Sequence, residues 1–190
     1  MSSTDLFHKF PVLTTKRLVL RKLTFEDAAD FYSYYSDEQV TKHLDWKGPS
    51  SIEHAKEVIQ AWNNGYDTRM VIPWGIALQS DNKIIGTIPY IPLRGTFDWK
   101  PLLPTVVGFE LSRHHWHQGL MSEALQAVID YGFNKLGAHR IQAEVFPENT
   151  PSLNLLKKLG FQAEGLMQQY LFHEELKIFK DIQLLALLKR

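Results

Sequence analysis

At 190 residues, 44% hydrophobic and 22% charged, the chain has the length and composition of a soluble globule, and one domain spanning 1–190 is expected. Its 21 basic and 21 acidic side chains cancel, which removes the global field that would hold nucleic acid or a membrane surface and leaves room only for a local anion site. Cysteine is absent, excluding disulfides, thiol nucleophiles and thiolate metal ligands, and without a leader-like segment or a long apolar run the expected location is cytoplasmic.

"KRLVLRKL", Lys16 to Leu23, alternates apolar and charged residues and reads as a strand near a sheet edge. Thr24 with Asp27 three positions on forms a capping-box-like start, followed by Phe25, Ala28, Phe31 and Tyr32 at helical spacing. Ser51 caps a second helix carried by Ile52, Ala55, Val58, Ile59 and Trp62 as far as Gly65. "VIPWGIAL" and "KIIGTIPYI" are β-branched runs joined by the turn residues of "QSDNK" and predict a hairpin. The Pro- and Gly-rich stretch up to Pro104 reads as a functional loop.

Next come a strand in "TVVGFELS", a helix over Met121–Leu136, a strand in "RIQAEVF", a helix over Ser152–Leu159, and two closing strands in "FQAEGLMQQYLF" and "LKIFKDIQLLALL". From Thr105 to Phe146 the strand, helix, strand order has the length of a βαβ unit, so its strands should lie parallel. No internal repeat or low-complexity tract interrupts the chain.

"HHWHQGLMSEAL", His114 to Leu125, therefore falls where a strand ends and a helix begins. A helix starting after Gly119 exposes amides without internal acceptors, a natural phosphate site, and Ser122 can add a hydroxyl. On the plainer alternative Gly119 only turns the chain and Ser122 and Glu123 cap the helix. His114, His115 and His117 lack the spacing and the carboxylate neighbour of a metal site, so no metal is expected.

"VGFELSRHHWHQGLMSEALQAVIDYGF" and "HRIQAEVFPENTPSLNLLKKLGFQAEG" together resemble the GNAT superfamily of acetyl-CoA-dependent N-acetyltransferases, and within it the ribosomal-protein N-terminal acetyltransferase branch. The likeness rests on Gln118, Gly119, Ser122, Glu123 and Ala124 as a pyrophosphate loop, and on Asn149, Ser152, Leu159, Gly160 and Phe161 as a second motif. It implies an α/β (α+β) fold with a mostly antiparallel twisted sheet of about six to seven strands, helices on both faces and a splayed parallel central pair. It further implies main-chain contacts to the pantetheine arm from Leu111 and Arg113, and phosphates held by Gln118, Gly119, Leu120, Met121 and Ser122. The chain departs from the family pattern at Trp116, His117 and Met121 in the loop, and Leu156 stands where many members carry a tyrosine acid.

Acetyl transfer needs an uncharged amine, a polarised thioester and a proton for the leaving thiolate. Strand alternation sets Glu144 opposite Ile141, Ala143 and Val145, and puts Glu110 on a face with Gly108 and Ser112. Glu144, five residues before Asn149, resembles the catalytic glutamate of related enzymes and ranks first as base; Glu110 ranks second and is expected to be a solvated strand carboxylate. By resemblance Ser152 lies near the sulfur and substitutes for the missing tyrosine, with helix capping as its plainer role, and Asn149 is a cofactor or substrate contact or a turn former. Trp46, Trp62, Phe97, Trp99 and Tyr170 are candidate acceptor-pocket walls, as is the loop from Arg94 to Pro104.

The expected partners are acetyl-CoA and an amine acceptor, a ribosomal protein N-terminus among the acceptors the resemblance implies; neither nucleic acid nor membrane is expected, and the chain is expected to be a monomer or homodimer. N-acetylation of a small-molecule amine, a non-catalytic acyl-CoA-binding module and an interaction protein indifferent to CoA remain the alternatives.

Overall fold

The structure, a computed structural model, describes residues 7–99 and 104–189. In chain order they form β1 (Leu13–Thr14), β2 (Leu18–Lys22), α1 (Ala28–Tyr35), α2 (Glu38–Thr41), α3 (Ile52–Asp67), β3 (Ile72–Leu78), β4 (Ile84–Pro92), β5 (Thr105–Val107) and β6 (Glu110–Leu111). The second half adds α4 (Leu120–Tyr131), β7 (Arg140–Val145), α5 (Thr150–Lys158), β8 (Gln162–His173) and β9 (Ile178–Leu188). All nine strands belong to one sheet of order β1-β2-β3-β4-β5-β7-β9-β8, with β6 also paired to β4. Every pairing is antiparallel except that of β5 with β7. Nine strands replace the expected six to seven because β1 is a two-residue strand and because one expected strand is broken at Gly108 and Phe109 into β5 and β6.

Local chemistry explains the helix starts. The carboxylate of Asp27 accepts from the Thr24 N–H (2.7 Å) and from both Arg21 guanidinium nitrogens (2.8 Å each), so the turn before α1 is anchored to β2. Ser51 caps α3, accepting from the His54 N–H at 3.1 Å. That helix passes Gly65, where it was expected to stop, and ends instead near Arg69 in the left-handed region (φ 61°). The helix expected over Met121–Leu136 is α-helical to Tyr131 and widens into a π turn over Gly132–Leu136. Gly132 sits there against the buried Tyr90 side chain.

Two apolar cores follow from the alternation of the strands. On one face α4 buries Leu120, Ala124, Leu125 and Val128 with Trp74, Ile76, Tyr90 and Ile141. On the other α1 and α3 bury Phe31, Tyr35, Ala55 and Ile59 with Leu23, Ala77 and Ile84. Their removal from water is the main favourable term in folding. Among the described residues no helix is long and apolar enough to cross a membrane.

Candidate active site

Two register positions, Thr105↔Ile141 and Val106↔Gln142, make up the whole parallel pairing of β5 with β7. Past them the strands part company: β6 stays on β4, with Thr87↔Glu110 and Gly86↔Leu111 aligned, while β7 continues on β9 alone. Gly86 permits the close approach of β6, since a Cβ there would stand 2.3 Å from the Glu110 carbonyl oxygen. The sheet thus opens into a cleft of about 250 Å³, lined by Gly108, Phe109 and Glu110 on one side and by Glu144, Phe146, Asn149 and Ser152 on the other. His43, Leu44 and Asp45, from the segment after α2, close its floor.

The structure brings both candidate bases and Ser152 to this one cleft, in different environments. Glu110 is not a solvated strand carboxylate. It accepts a hydrogen bond from the Thr87 hydroxyl (3.0 Å), and burial raises its pKa to about 7 despite that bond. Glu144 is half-buried, and desolvation raises its pKa too. Ser152 does not cap α5: Asn149 does, its side-chain oxygen accepting from the Ser152 N–H at 3.3 Å, and Ser152 is among the residues that line the cleft. Leu156 is fully buried in the core and is therefore not a cleft residue.

α4 follows β6 and starts at Gly119 (φ 72°), and no side chain caps its first turn. His117 also adopts positive φ, 59°, a conformation that costs histidine less than most residues. The plainer capping role expected of Glu123 is not seen. Its carboxylate accepts from the Thr15 hydroxyl (2.6 Å), the Arg17 N–H (2.8 Å) and Arg17 Nε (2.7 Å), while Arg17 Nη1 donates to the Gln118 carbonyl at 2.9 Å. The amides of Leu120, Met121 and Ser122 are left without a side-chain acceptor at the positive end of the helix dipole, a fit for phosphate.

Two expected main-chain contacts are narrowed. The Leu111 carbonyl accepts from the Trp116 indole N–H at 2.7 Å and the Arg113 carbonyl from the Trp116 N–H at 3.1 Å, so each carbonyl already holds one donor. The Ser112 N–H bonds to Ile85 O, and by antiparallel alternation the Leu111 N–H then points away from β4 and into the opening. The Arg113 side chain pairs with Asp37 at 2.9 Å.

None of the five expected acceptor-wall aromatics lines the cleft. Trp62 and Trp46 pack on Phe31 and Tyr35, Phe97 stacks on Tyr90, and Trp99 and Tyr170 are exposed at the surface. Three of the five thus find ring partners in the core instead. The loop from Arg94 to Pro104 includes residues 100–103, which lie outside the described residues; its described part is held to the end of α3 by the ion pair of Arg69 with Asp98. Sequence reasoning missed His43 and Asp45, which lie in an irregular stretch with no periodicity to flag them. Burial lowers the pKa of His43, which favours the neutral ring. Among the described residues that line the cleft there is no Lys or Arg, while Asp45, Glu110 and Glu144 supply carboxyl groups. No group of three or more His, Asp or Glu side chains among the described residues is placed to hold a metal ion.

A family profile described as "Acetyltransferase (GNAT) domain" matches residues 17–162. An uncharacterized N-acetyltransferase of Bacillus subtilis, YoaA, is 37% identical, covering 86% of this chain and 89% of the relative. The ribosomal protein uS5-alanine N-acetyltransferase of Escherichia coli is 28% identical, covering 84% and 82%. A solved GNAT-family acetyltransferase from Bacillus anthracis superposes with a TM-score of 0.79 at 26% identity, over 94% of this chain and 98% of that one. Mycobacterium smegmatis RimJ in complex with CoA-disulfide superposes at 0.81 and 22% identity, over 94% and 88%, a likeness of fold.

Proposed function

The chain belongs to the acetyltransferase (GNAT) family, and from that premise we propose that this N-acetyltransferase transfers the acetyl group of acetyl-CoA to the N-terminal amine of a peptide or protein. The observation that carries the reading is the cleft itself, which gathers two carboxyl groups and Ser152, in a chain whose α4 begins without a side-chain cap. The first-turn amides of α4, from Leu120 to Ser122, with Gln118 and Gly119 before them, would hold the pyrophosphate, and the Leu111 N–H and Asn149 would meet the pantetheine arm. Bound acetyl-CoA supplies an acetyl group activated as a thioester.

The chain's own residues then handle the protons. An α-amine has a pKa of about 7.7–8.0, so at neutral pH most of it must lose a proton before it can attack. Glu110, with a pKa of about 7, is matched to that task and serves as the base. Glu144, across the cleft, orients the incoming ammonium, and the Ser152 hydroxyl donates toward the departing sulfur. The acidic lining favours a cationic acceptor with no carboxylate or phosphate close to its nitrogen, which describes a peptide N-terminus better than a free amino acid. The named activity of the uS5-alanine relative points the same way.

The test is release of free CoA thiol from acetyl-CoA across a panel of peptides, N-terminally blocked peptides and small amines. Turnover confined to free peptide N-termini is expected. Turnover on small amines alone would replace the acceptor, and thermal stabilisation by acetyl-CoA with no turnover would make the chain a binding module.

A further inference from the structure

Glu110 is not held by its own strand. Its Oε2 accepts from Thr87 Oγ1 at 3.0 Å, and behind Thr87 stand the phenols of Tyr34 (3.1 Å) and Tyr35 (3.4 Å), both on α1. Thr87, Tyr34 and Tyr35 are all buried, at 0%, 4% and 1% exposure, so water is not at hand to replace any of these bonds. A threonine hydroxyl carries a single proton, and here it points at the carboxylate. The protons on the two bonds behind it must therefore come from the tyrosines. Two phenol donors thus converge on one hydroxyl oxygen, which uses both its lone pairs to accept and its proton to donate.

We propose that Thr87 is a positioning residue for Glu110: its hydroxyl, oriented by the phenols of Tyr34 and Tyr35, fixes the carboxylate that receives the proton of the acceptor amine. The inference rests on the acetyl-transfer reading for that last step and on the hydrogen-bond geometry for the rest. With Oε2 engaged from behind, Oε1 is the atom left for the cleft. The proton balance is simple. As the N–C bond forms and the thioester C–S bond breaks, the amine proton passes to Glu110 and the departing sulfur takes the Ser152 proton, which solvent replaces once Glu110 releases its own, while Thr87 and the tyrosines keep theirs. Both phenols stay protonated because burial raises their pKa well above the ordinary value of 10.0.

The groups facing Glu110 can be named element by element: Tyr34 and Tyr35 on α1, His43 and Asp45 after α2, Thr87 on β4 and Glu144 across the cleft on β7. Burial and, less, Asp45 favour the protonated acid; Thr87 and, less, Tyr35 oppose them, because their hydroxyls favour the charged form.

Carbon-13 NMR titration of the Glu110 carboxyl, assigned by Glu110→Gln, reads the effect whether or not the protein is active. Thr87→Val keeps the β-branched shape and removes the donor. It is expected to raise the Glu110 pKa by about one unit and to move the acidic limb of kcat/KM upward by the same amount. Thr87→Ser should restore both, and Tyr34→Phe with Tyr35→Phe should give a smaller shift in the same direction; these variants also serve if Thr87→Val does not fold. An unmoved Glu110 titration in every variant lacking a donor overturns the proposal. If the titration moves but no amine is acetylated, the positioning stands and the acetyl-transfer reading fails. If both titration and turnover are seen but the acidic limb stays fixed, Glu110 is not the base and the proposal falls with that role.

Discussion

A carboxylic acid whose pKa lies near 7 in the folded chain, against an ordinary 4.5, binds more protons folded than unfolded throughout that interval. Stability is therefore greatest below pH 4.5 as far as this group is concerned and is lost as pH rises through 7, the direction opposite to that of a salt-bridged carboxylate. Glu110→Gln removes the penalty while keeping an acceptor for Thr87. Urea denaturation at pH 8 should find it more stable than the parent, by on the order of 2 kcal/mol, and its turnover should fall about 10²- to 10⁴-fold. Gly119 makes the complementary case. A Cβ there would meet nothing nearer than Arg17 Nη2 at 3.7 Å, so Gly119→Ala acts through its positive φ and not through a clash. The strain of about 1–2 kcal/mol should weaken acetyl-CoA about tenfold by calorimetry. The motifs that hold Gln118 to Ser122, Asn149 and Ser152 could be singled out in the sequence because each is contiguous. The setting of Glu110 was not, since Thr87 lies 23 residues away and Tyr35 a further 52 from Thr87.

α4 is fixed at its start by a residue it does not use as a cap. Glu123 ties its first turn to Thr15 and Arg17, and Arg17 in turn grips the Gln118 carbonyl, so that turn is braced against the beginning of the sheet. Glu123→Gln should raise the Kd for CoA roughly three- to tenfold and leave the pH profile of turnover unchanged, because the brace is remote from Glu110. Helical and strand periodicities showed α1, α3, α4 and the β3–β4 hairpin in the sequence, since each has a single apolar face. Three features escaped it for physical reasons. The break between β5 and β6 depends on the close approach of Gly86, the π turn at Gly132 depends on the Tyr90 side chain, and the start of α5 depends on Asn149 rather than Ser152 reaching the Ser152 N–H.

For the molecule as a whole, the two cores leave one family position closed. Leu156 is fully buried with Phe161 and Leu185, so Leu156→Tyr should overpack the core and cost about 1–3 kcal/mol in thermal or urea unfolding, without supplying an acid to the cleft. The overall architecture was legible because the βαβ spacing of the centre and the antiparallel runs on either side admit few topologies. The contents of the opening were not, because its floor comes from His43 to Asp45, remote in sequence from both walls. The two-position seam between β5 and β7 has a further consequence. Backbone groups that a continuous sheet would satisfy internally are here handed to whatever lies in the gap, so a substrate arm threaded there acts as a borrowed rung of the ladder. Occupancy should slow deuterium uptake at the inner edges of β6 and β7 together, and the two halves of the sheet should then melt as one.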